Sequence, residues 1–220
     1  MLDAVSGGRA YLGLAKGAWL DKLGLREERP LEALREAVAV IRVLLARDES
    51  GFEGERFTLA PGTRLEYEPV RSAVPLTIGT WGRETARWAG TVADDVKVGG
   101  TANPDLLPLV RGWIDNPAVR VVTGCVAVVD EDGAWAREHA RSVVGPYLDV
   151  VAPLDPTLPE DEKPRLERFC IAGTPEEVAA RVRELWDAGA DRVELGTPQG
   201  RTTLGGLELI CDRVLPLVRD

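Results

Sequence analysis

Apolar and polar residues follow two rhythms along this chain, short unbroken apolar runs and longer stretches with apolar residues at steps of three and four. The two alternate from end to end, as strands alternating with helices would. Ala10–Leu14 reads as a strand leaving through Ala15-Lys16-Gly17. Pro30–Ala46 reads as a helix, with Leu31, Leu34, Val38, Ile41 and Leu45 on one face and Pro30 suited to the first turn. The rhythm breaks over Gly51–Tyr67, where GFEGERFTL has two glycines and alternating aromatic and charged positions. A small hairpin is predicted there. Val74–Ile78 is a second strand, leaving through Gly79-Thr80-Trp81-Gly82 into a short helix, Arg83–Ala89. Asp95–Val98 is a third, leaving through Gly99-Gly100-Thr101 into a helix over Pro104–Ile114 that Asn116-Pro117 stops.

Val119–Val129 is almost wholly apolar or β-branched, which suits a strand covered on both faces, as in parallel sheets. A helix follows over Gly133–Val150. Pro153–Pro164 holds four prolines and the acids Glu160, Asp161 and Glu162, and is expected to be an exposed loop. Thr174-Pro175-Glu176-Glu177 is a capping box with proline at the first helical position. Val178, Val182 and Leu185 line one face behind it, and Gly189 ends that helix. Arg192–Leu195 is a fifth strand, leaving through Gly196-Thr197-Pro198-Gln199-Gly200, and Leu204–Val218 is a closing helix. Alternation with short links implies parallel strands and right-handed crossovers, so the class is α/β. Either an open doubly wound sheet or an eight-fold barrel satisfies the pattern. No break in composition marks a boundary, so residues 1–220 read as one domain with a hairpin excursion near 51–68.

Composition narrows the function classes. The 220 residues are 45% apolar and 29% charged, ordinary for a globular protein with a sizeable core. No apolar run approaches a membrane span, and the N-terminus lacks the basic start and apolar block of a signal peptide, so a cytoplasmic protein with no membrane partner is expected. The net charge of −9 with no basic stripe argues against a nucleic-acid partner. Cys125, Cys170 and Cys211 are far apart with no C-x-x-C pair, so neither a metal site nor a disulfide framework is expected, and each reads as a small buried side chain. The one histidine, His139, falls mid-helix on its surface, so no histidine-based triad or metal cage can be assembled within one chain.

The chemistry that remains sits at the strand exits. Four of the five predicted strands end in glycine-bearing loops, and in either architecture those ends face the same side. Glycine lets backbone N–H groups approach a ligand, and a helix N-terminus beyond adds positive character. The combination favours a phosphate-bearing cofactor, with Gly79–Gly82 the foremost candidate and Arg83 beside it. Trp19 and Trp81 lie in exit loops and are placed to stack on a flat ring. G-x-G-x-x-G, G-x-x-x-x-G-K-[ST] and G-x-S-x-G are all missing, which argues against a standard dinucleotide fold, a nucleoside triphosphatase and an α/β-hydrolase.

Several segments, in order, resemble the luciferase-like flavin and deazaflavin oxidoreductases. LDAVSGGRAYLGLAKG resembles that family's entry into the fourth barrel strand, and ERPLEALREAVAVIRVLLA the helix after it. VPLTIGTWGRETARWAGTVADDV resembles the fifth strand with its glycine loop, and RFCIAGTPEEVAARVRELWDAGADRVELGTP the last full unit. The nearest branch is that resembling methylenetetrahydromethanopterin reductase. The resemblance implies a variant (β/α)8 barrel that is incomplete here, with about five of eight strands. It implies hydride transfer to or from a small organic substrate on coenzyme F420, or alternatively FMN, with a non-catalytic flavin-binding or structural remnant as the rival reading.

Carried over by position, Gly79, Thr80 and Gly82 match the cofactor-phosphate loop, with Trp81 and Arg83 as neighbours. Gly13 to Gly17, including Ala15 and Lys16, match the fourth-strand exit. Lys97 to Thr101, including Gly99 and Gly100, match the sixth-strand exit. Ala18 stands where some relatives carry a catalytic acid, so no catalytic residue is assigned. A complete family member begins with three further strand–helix units, roughly 100 residues by the usual size of this barrel. Five strands leave two edges and an apolar inner face uncovered, so the chain is expected to pair with another copy as a homo-oligomer, a dimer, or else to rearrange its sheet or be only marginally stable.

Overall fold

In a computed structural model of the chain, residues 1–17, 20–25, 27–159 and 164–219 are described. They divide into two compact units, Met1–Gly79 with Val92–Asp94, and Thr80–Thr91 with Asp95–Asp220. Trp19, Ala18 and the acids Glu160, Asp161 and Glu162 lie outside the described residues.

The first unit opens with a short helix, α1 (Leu2–Val5), followed by strand β1 (Leu12–Ala15), the 17-residue helix α2 (Pro30–Ala46), strands β2 (Phe52–Glu53) and β3 (Thr58–Leu59), and β4 (Leu76–Gly79). Pro30 opens α2 and Leu34 and Val38 are its buried residues, so the three-and-four spacing does set the inward face. β1 and β4 pair in parallel, with Leu12 opposite Leu76 and Ala15 opposite Gly79. The predicted hairpin is the antiparallel β2–β3 pair. One side chain ties its tip to α2: the Glu36 carboxylate accepts from the amides of Glu55, Arg56 and Phe57 at 2.9, 2.8 and 3.0 Å. These hydrogen bonds, that of Arg56 foremost, hold the carboxyl below its ordinary range. Gly54 leaves room for this carboxylate, since a Cβ there would meet Glu36 Oε2 at 2.4 Å and displace it. At the other end of the unit, Arg71 grips Asp3 at 2.6 and 3.0 Å and the Ala10 carbonyl at 2.6 Å, which fixes the approach to β1.

The second unit continues with α3 (Arg83–Ala89), β5 (Asp95–Gly99), α4 (Leu106–Ile114), β6 (Arg120–Val129), α5 (Gly133–Val151), β7 (Cys170–Gly173), α6 (Pro175–Asp187), β8 (Arg192–Gln199) and α7 (Thr203–Leu209); a π-helical turn, Ile210–Val214, leads into α8 (Leu215–Val218). Its sheet is parallel and built around β6. The first half of β6 pairs with β5, Asp95 to Arg120 through Gly99 to Gly124, and the second half with β7, Val126 to Cys170 through Val129 to Gly173. β8 runs along the opposite edge, with Gly124 facing Glu194 and a register shift between Val126 and Val128.

Val96, Val98 and Val121 on one face of this sheet are fully buried. Val128 packs with Ala136, Ala140 and Val144 of α5 and with Phe169 and Cys170. The capping box forms as read: Thr174 Oγ1 accepts from the Glu177 amide while the Glu177 carboxylate accepts from the Thr174 amide at 2.8 Å. Val178, Val182 and Leu185 are buried behind it.

Five readings change, the first being that Gly196–Gln199, read as an exit loop, are the last residues of β8. Cys170–Gly173 is a further parallel strand, so among the described residues β1, β4, β5, β6, β7 and β8 make six rather than five. The closing helix is interrupted by its π-helical turn. The proline loop is not wholly solvated, because Asp155 is buried and accepts from Asn103 Nδ2 at 2.8 Å and from the Thr157 hydroxyl at 2.7 Å. Cys211 is exposed, whereas Cys125 and Cys170 are buried.

Candidate functional site

The strand exits carry small residues, but the use of their backbone groups differs from loop to loop. In the first unit, Ala15 and Gly79 are paired neighbours at the ends of β1 and β4, and a Cβ on Gly79 would stand 3.3 Å from that of Ala15. Lys16 and Gly17 follow, exposed. Gly17 has a φ of +88°, a conformation that favours glycine, and an added Cβ would also displace the Leu20 side chain.

In the second unit the Thr80-Trp81-Gly82 loop folds back on itself. The Thr80 amide donates to the Lys97 carbonyl at 2.9 Å and the Gly82 amide to Thr80 Oγ1 at 2.9 Å. Gly82 then caps α3 without a side-chain bond, and Arg83 is exposed. The β5 exit behaves similarly: the amides of Gly100 and Thr101 both donate to the Gly124 carbonyl, at 2.6 and 3.3 Å. Trp81 joins these two loops. Its indole N–H donates to the Gly99 carbonyl at 2.9 Å, and its ring packs against the cluster of Val128, Phe169 and α5. Among the predicted site residues, Thr80, Trp81 and Gly82 are thus brought together with Lys97, Gly99 and Gly100.

Beside Gly99 and Gly100 lies a cleft of about 400 Å³, within the range of small-molecule sites. Gly99, Gly100, Gly124 and Gly196 contribute bare backbone to its wall, and Lys97, Glu194 and Tyr147 its polar groups. Strand alternation explains the set: Lys97 and Gly99 of β5, Gly124 and Val126 of β6, and Glu194 and Gly196 of β8 all point to the face opposite Val96, Val98 and Val121. Burial raises the Tyr147 phenol, which stays protonated at neutral pH. The Cys125 thiol is pushed up to about 12 by burial first and Cys170 second, so it is a packed thiol rather than a nucleophile.

This face is not the bare apolar surface expected from an incomplete barrel. Alternate positions of β5 and β8 carry charge, and five groups link across the strands. Arg120 Nε meets Asp95 Oδ1 at 2.6 Å, Arg192 Nη2 meets Asp95 Oδ2 at 3.2 Å, and Arg192 Nε meets Glu194 Oε1 at 3.1 Å. Glu194 Oε2 in turn pairs with Lys97 Nζ. Such a link needed the three-dimensional register, because Lys97 and Glu194 are far apart in sequence; the only local signal was charge at positions that alternate with apolar ones in each strand.

At the far end of β6 a second cluster forms. Arg201 holds Asp130 through two hydrogen bonds of 2.6 and 3.1 Å and lies 4.1 Å over the Trp135 ring, which also stacks on His139 at 4.8 Å. His139 is therefore a half-buried partner of a tryptophan. Among the described residues, no group of three or more His, Cys, Asp or Glu side chains is placed to hold a metal ion, and no helix is long and apolar enough to cross a membrane.

The profile of the family described as luciferase-like monooxygenase matches residues 1–192. The chain belongs to that family. It is 27% identical to the 5,10-methylenetetrahydromethanopterin reductase of Archaeoglobus fulgidus over 99% of this chain and 76% of that protein. It is also 27% identical to the F420-dependent glucose-6-phosphate dehydrogenase of Kineococcus radiotolerans, over 99% of this chain and 71% of that one. The solved structure of the coenzyme F420 dependent tetrahydromethanopterin reductase from Methanopyrus kandleri superimposes with a TM-score of 0.79 and 23% identity, covering 98% of this chain and 76% of that one. The α/β fold with parallel strands is thus the luciferase-like fold.

Proposed function

We propose that the chain is an F420-dependent oxidoreductase that moves a hydride between the deazaflavin ring and a small organic substrate, with FMN as the alternative cofactor. The family match over residues 1–192 carries this reading, and the names of two relatives that align with 99% of the chain supply its direction. The cleft supports it: glycine at four wall positions leaves room for a flat body against backbone, and the volume admits part of such a cofactor. When bound, the deazaflavin ring supplies the hydride chemistry, and the chain's own residues bind and orient it.

In this proposal Thr80, Trp81, Gly82 and Arg83 together with Gly99 and Gly100 line the cofactor's anionic tail; the amides of Thr80, Gly82 and Gly100 already donate within the fold, so the exposed Arg83 supplies the charge that holds it. In the first unit, Ala15, Lys16, Gly17 and Gly79 are proposed as cofactor-binding residues in their own right. No residue is assigned as catalytic acid or base. The 220 residues act as one luciferase-like domain of a cytoplasmic protein that works as a homo-dimer. Apolar side chains left exposed in the first unit, Leu2, Val5 and Tyr11, favour self-association, which light scattering tests directly.

Titration with F420 and with FMN, followed by cofactor absorbance and tryptophan quenching, tests the cofactor reading. Saturable binding, with reduction of the bound cofactor by an alcohol or a reduced pterin, is the expected result. Binding without turnover against a broad substrate panel would favour the non-catalytic reading, and failure of both cofactors to bind at high micromolar concentration would overturn the proposal.

A further inference from the structure

We infer that Lys97 is an exchangeable cation at the floor of the cleft, and that the cleft recognises the anionic end of a flat organic molecule, a carboxylate or a phosphate, by drawing Lys97 away from Glu194. Three observations carry this. First, the charges that cross β5, β6 and β8 alternate in sign, in the order Arg120, Asp95, Arg192, Glu194 and Lys97, which puts Lys97 at the cleft end of the row. Second, Glu194 has a second partner. Its Oε1 holds Arg192 at 3.1 Å while Oε2 holds Lys97, so the carboxylate remains compensated when Lys97 leaves. Lys97 is the array's end member, it lines the cleft, and its side chain retains 36% exposure. Third, the space around the pair is kept open by glycine. A Cβ on Gly124 would stand 3.1 Å from Glu194 Cβ and 3.4 Å from Lys97 Cε, so the lysine crosses β6 over a residue without a side chain.

A lysine ammonium on a flexible stem suits partner exchange, unlike a bidentate arginine. Exchange of one carboxylate for another anion changes little in desolvation, which makes the swap accessible. The Tyr147 phenol in the same wall supplies a neutral donor.

The test uses the intact chain without cofactor. Trp81 reports on the cleft, since its indole bonds the carbonyl of Gly99 in the cleft wall. Benzoate, its neutral isostere benzamide, and inorganic phosphate are titrated against tryptophan emission. Benzoate is expected to bind saturably and more tightly than benzamide. Lys97→Met should weaken benzoate binding at least about tenfold, as loss of a charge-assisted contact does. Glu194→Gln, which frees Lys97, should instead tighten it, and Lys97→Arg should restore part of it. A merely structural ion pair would not give opposite shifts for its two members. Equal binding of benzoate and benzamide, shifts in the same direction for Lys97→Met and Glu194→Gln, or no saturable benzoate binding to the wild type or to Glu194→Gln would overturn the inference. If Lys97→Met fails to fold, Glu194→Gln decides: tighter benzoate binding upholds the inference, and unchanged or weaker binding overturns it. FMN and riboflavin, which differ by a phosphate, separate the sources. Loss of their discrimination in Lys97→Met assigns the anion to the cofactor, and retained discrimination beside a lost benzoate site assigns it to the substrate. That arm alone rests on the proposed cofactor; the benzoate arm stands or falls without it.

Discussion

Replacing Gly124 by valine probes the cleft and the strand register together. In the parallel sheet Gly124 lies directly opposite Glu194, and Lys97 passes over it. The first methyl-sized atom already sits 3.1 Å from Glu194 Cβ, an atom fixed to the backbone of β8 that cannot swing aside. Lys97 Cε, at 3.4 Å, can. Valine adds two further methyl groups into the same space, and overpacking of this kind costs about 1–3 kcal/mol. The Lys97–Glu194 pair is about one-third exposed, so its loss adds no more than ~1 kcal/mol. At roughly 2–4 °C per kcal/mol for a chain of this size, the melting temperature should fall by about 2–16 °C. Circular dichroism melts and urea titrations measure it, with Gly112→Ala as the control. Gly112 lies within α4 with nothing near its would-be Cβ, so alanine there should stabilise by about 0.5–1 kcal/mol. A Gly124→Val protein that melts with the wild type and still binds benzoate would refute the claim that this bare position is the gap the ion pair crosses.

Gly90→Ala should cost about 1–3 kcal/mol, because its Cβ would meet the Ile114 carbonyl oxygen at 2.2 Å and that carbonyl is main chain; a wild-type urea midpoint would contradict the packing of α3 on α4. One of the three thiols, that of exposed Cys211, should react promptly with a disulfide reagent in the native protein, while Cys125 and Cys170, both buried and both pushed up to about 12, should react only as urea unfolds the chain. The hydrogen bonds from Arg201 hold the Asp130 carboxyl below its ordinary value. Its contribution to stability is therefore present above the unfolded carboxylate range and is lost as pH falls through the depressed value, so Asp130→Asn should flatten the acid limb of a stability–pH profile; an unchanged limb would contradict the pairing.

The periodic elements were legible because local pattern and burial agree. The α2 stripe, the capping box at Thr174 and the largely apolar, β-branched β6 each announce themselves locally. Cys170–Gly173 escaped because four residues carry no readable alternation, and only pairing with the second half of β6 makes them a strand. β8 runs on to Gln199 past polar Thr197 and Pro198, against strand propensity, because β6 supplies the partner edge. The glycine loops were visible in sequence. That the amides of Thr80, Gly82, Gly100 and Thr101 bond within the fold was not, since each acceptor is set by tertiary or turn geometry. The charged array on β5, β6 and β8 was hidden for the same reason: Asp95, Lys97, Arg192 and Glu194 become neighbours only in the register of the sheet.

A crystal structure of the protein grown with F420 would locate the cofactor's anionic tail. The cofactor's phosphate is expected within hydrogen-bonding distance of the Thr80–Arg83 loop or of Gly99 and Gly100. A phosphate bound elsewhere on the molecule, or no cofactor in crystals grown at saturating concentration, would contradict this placement.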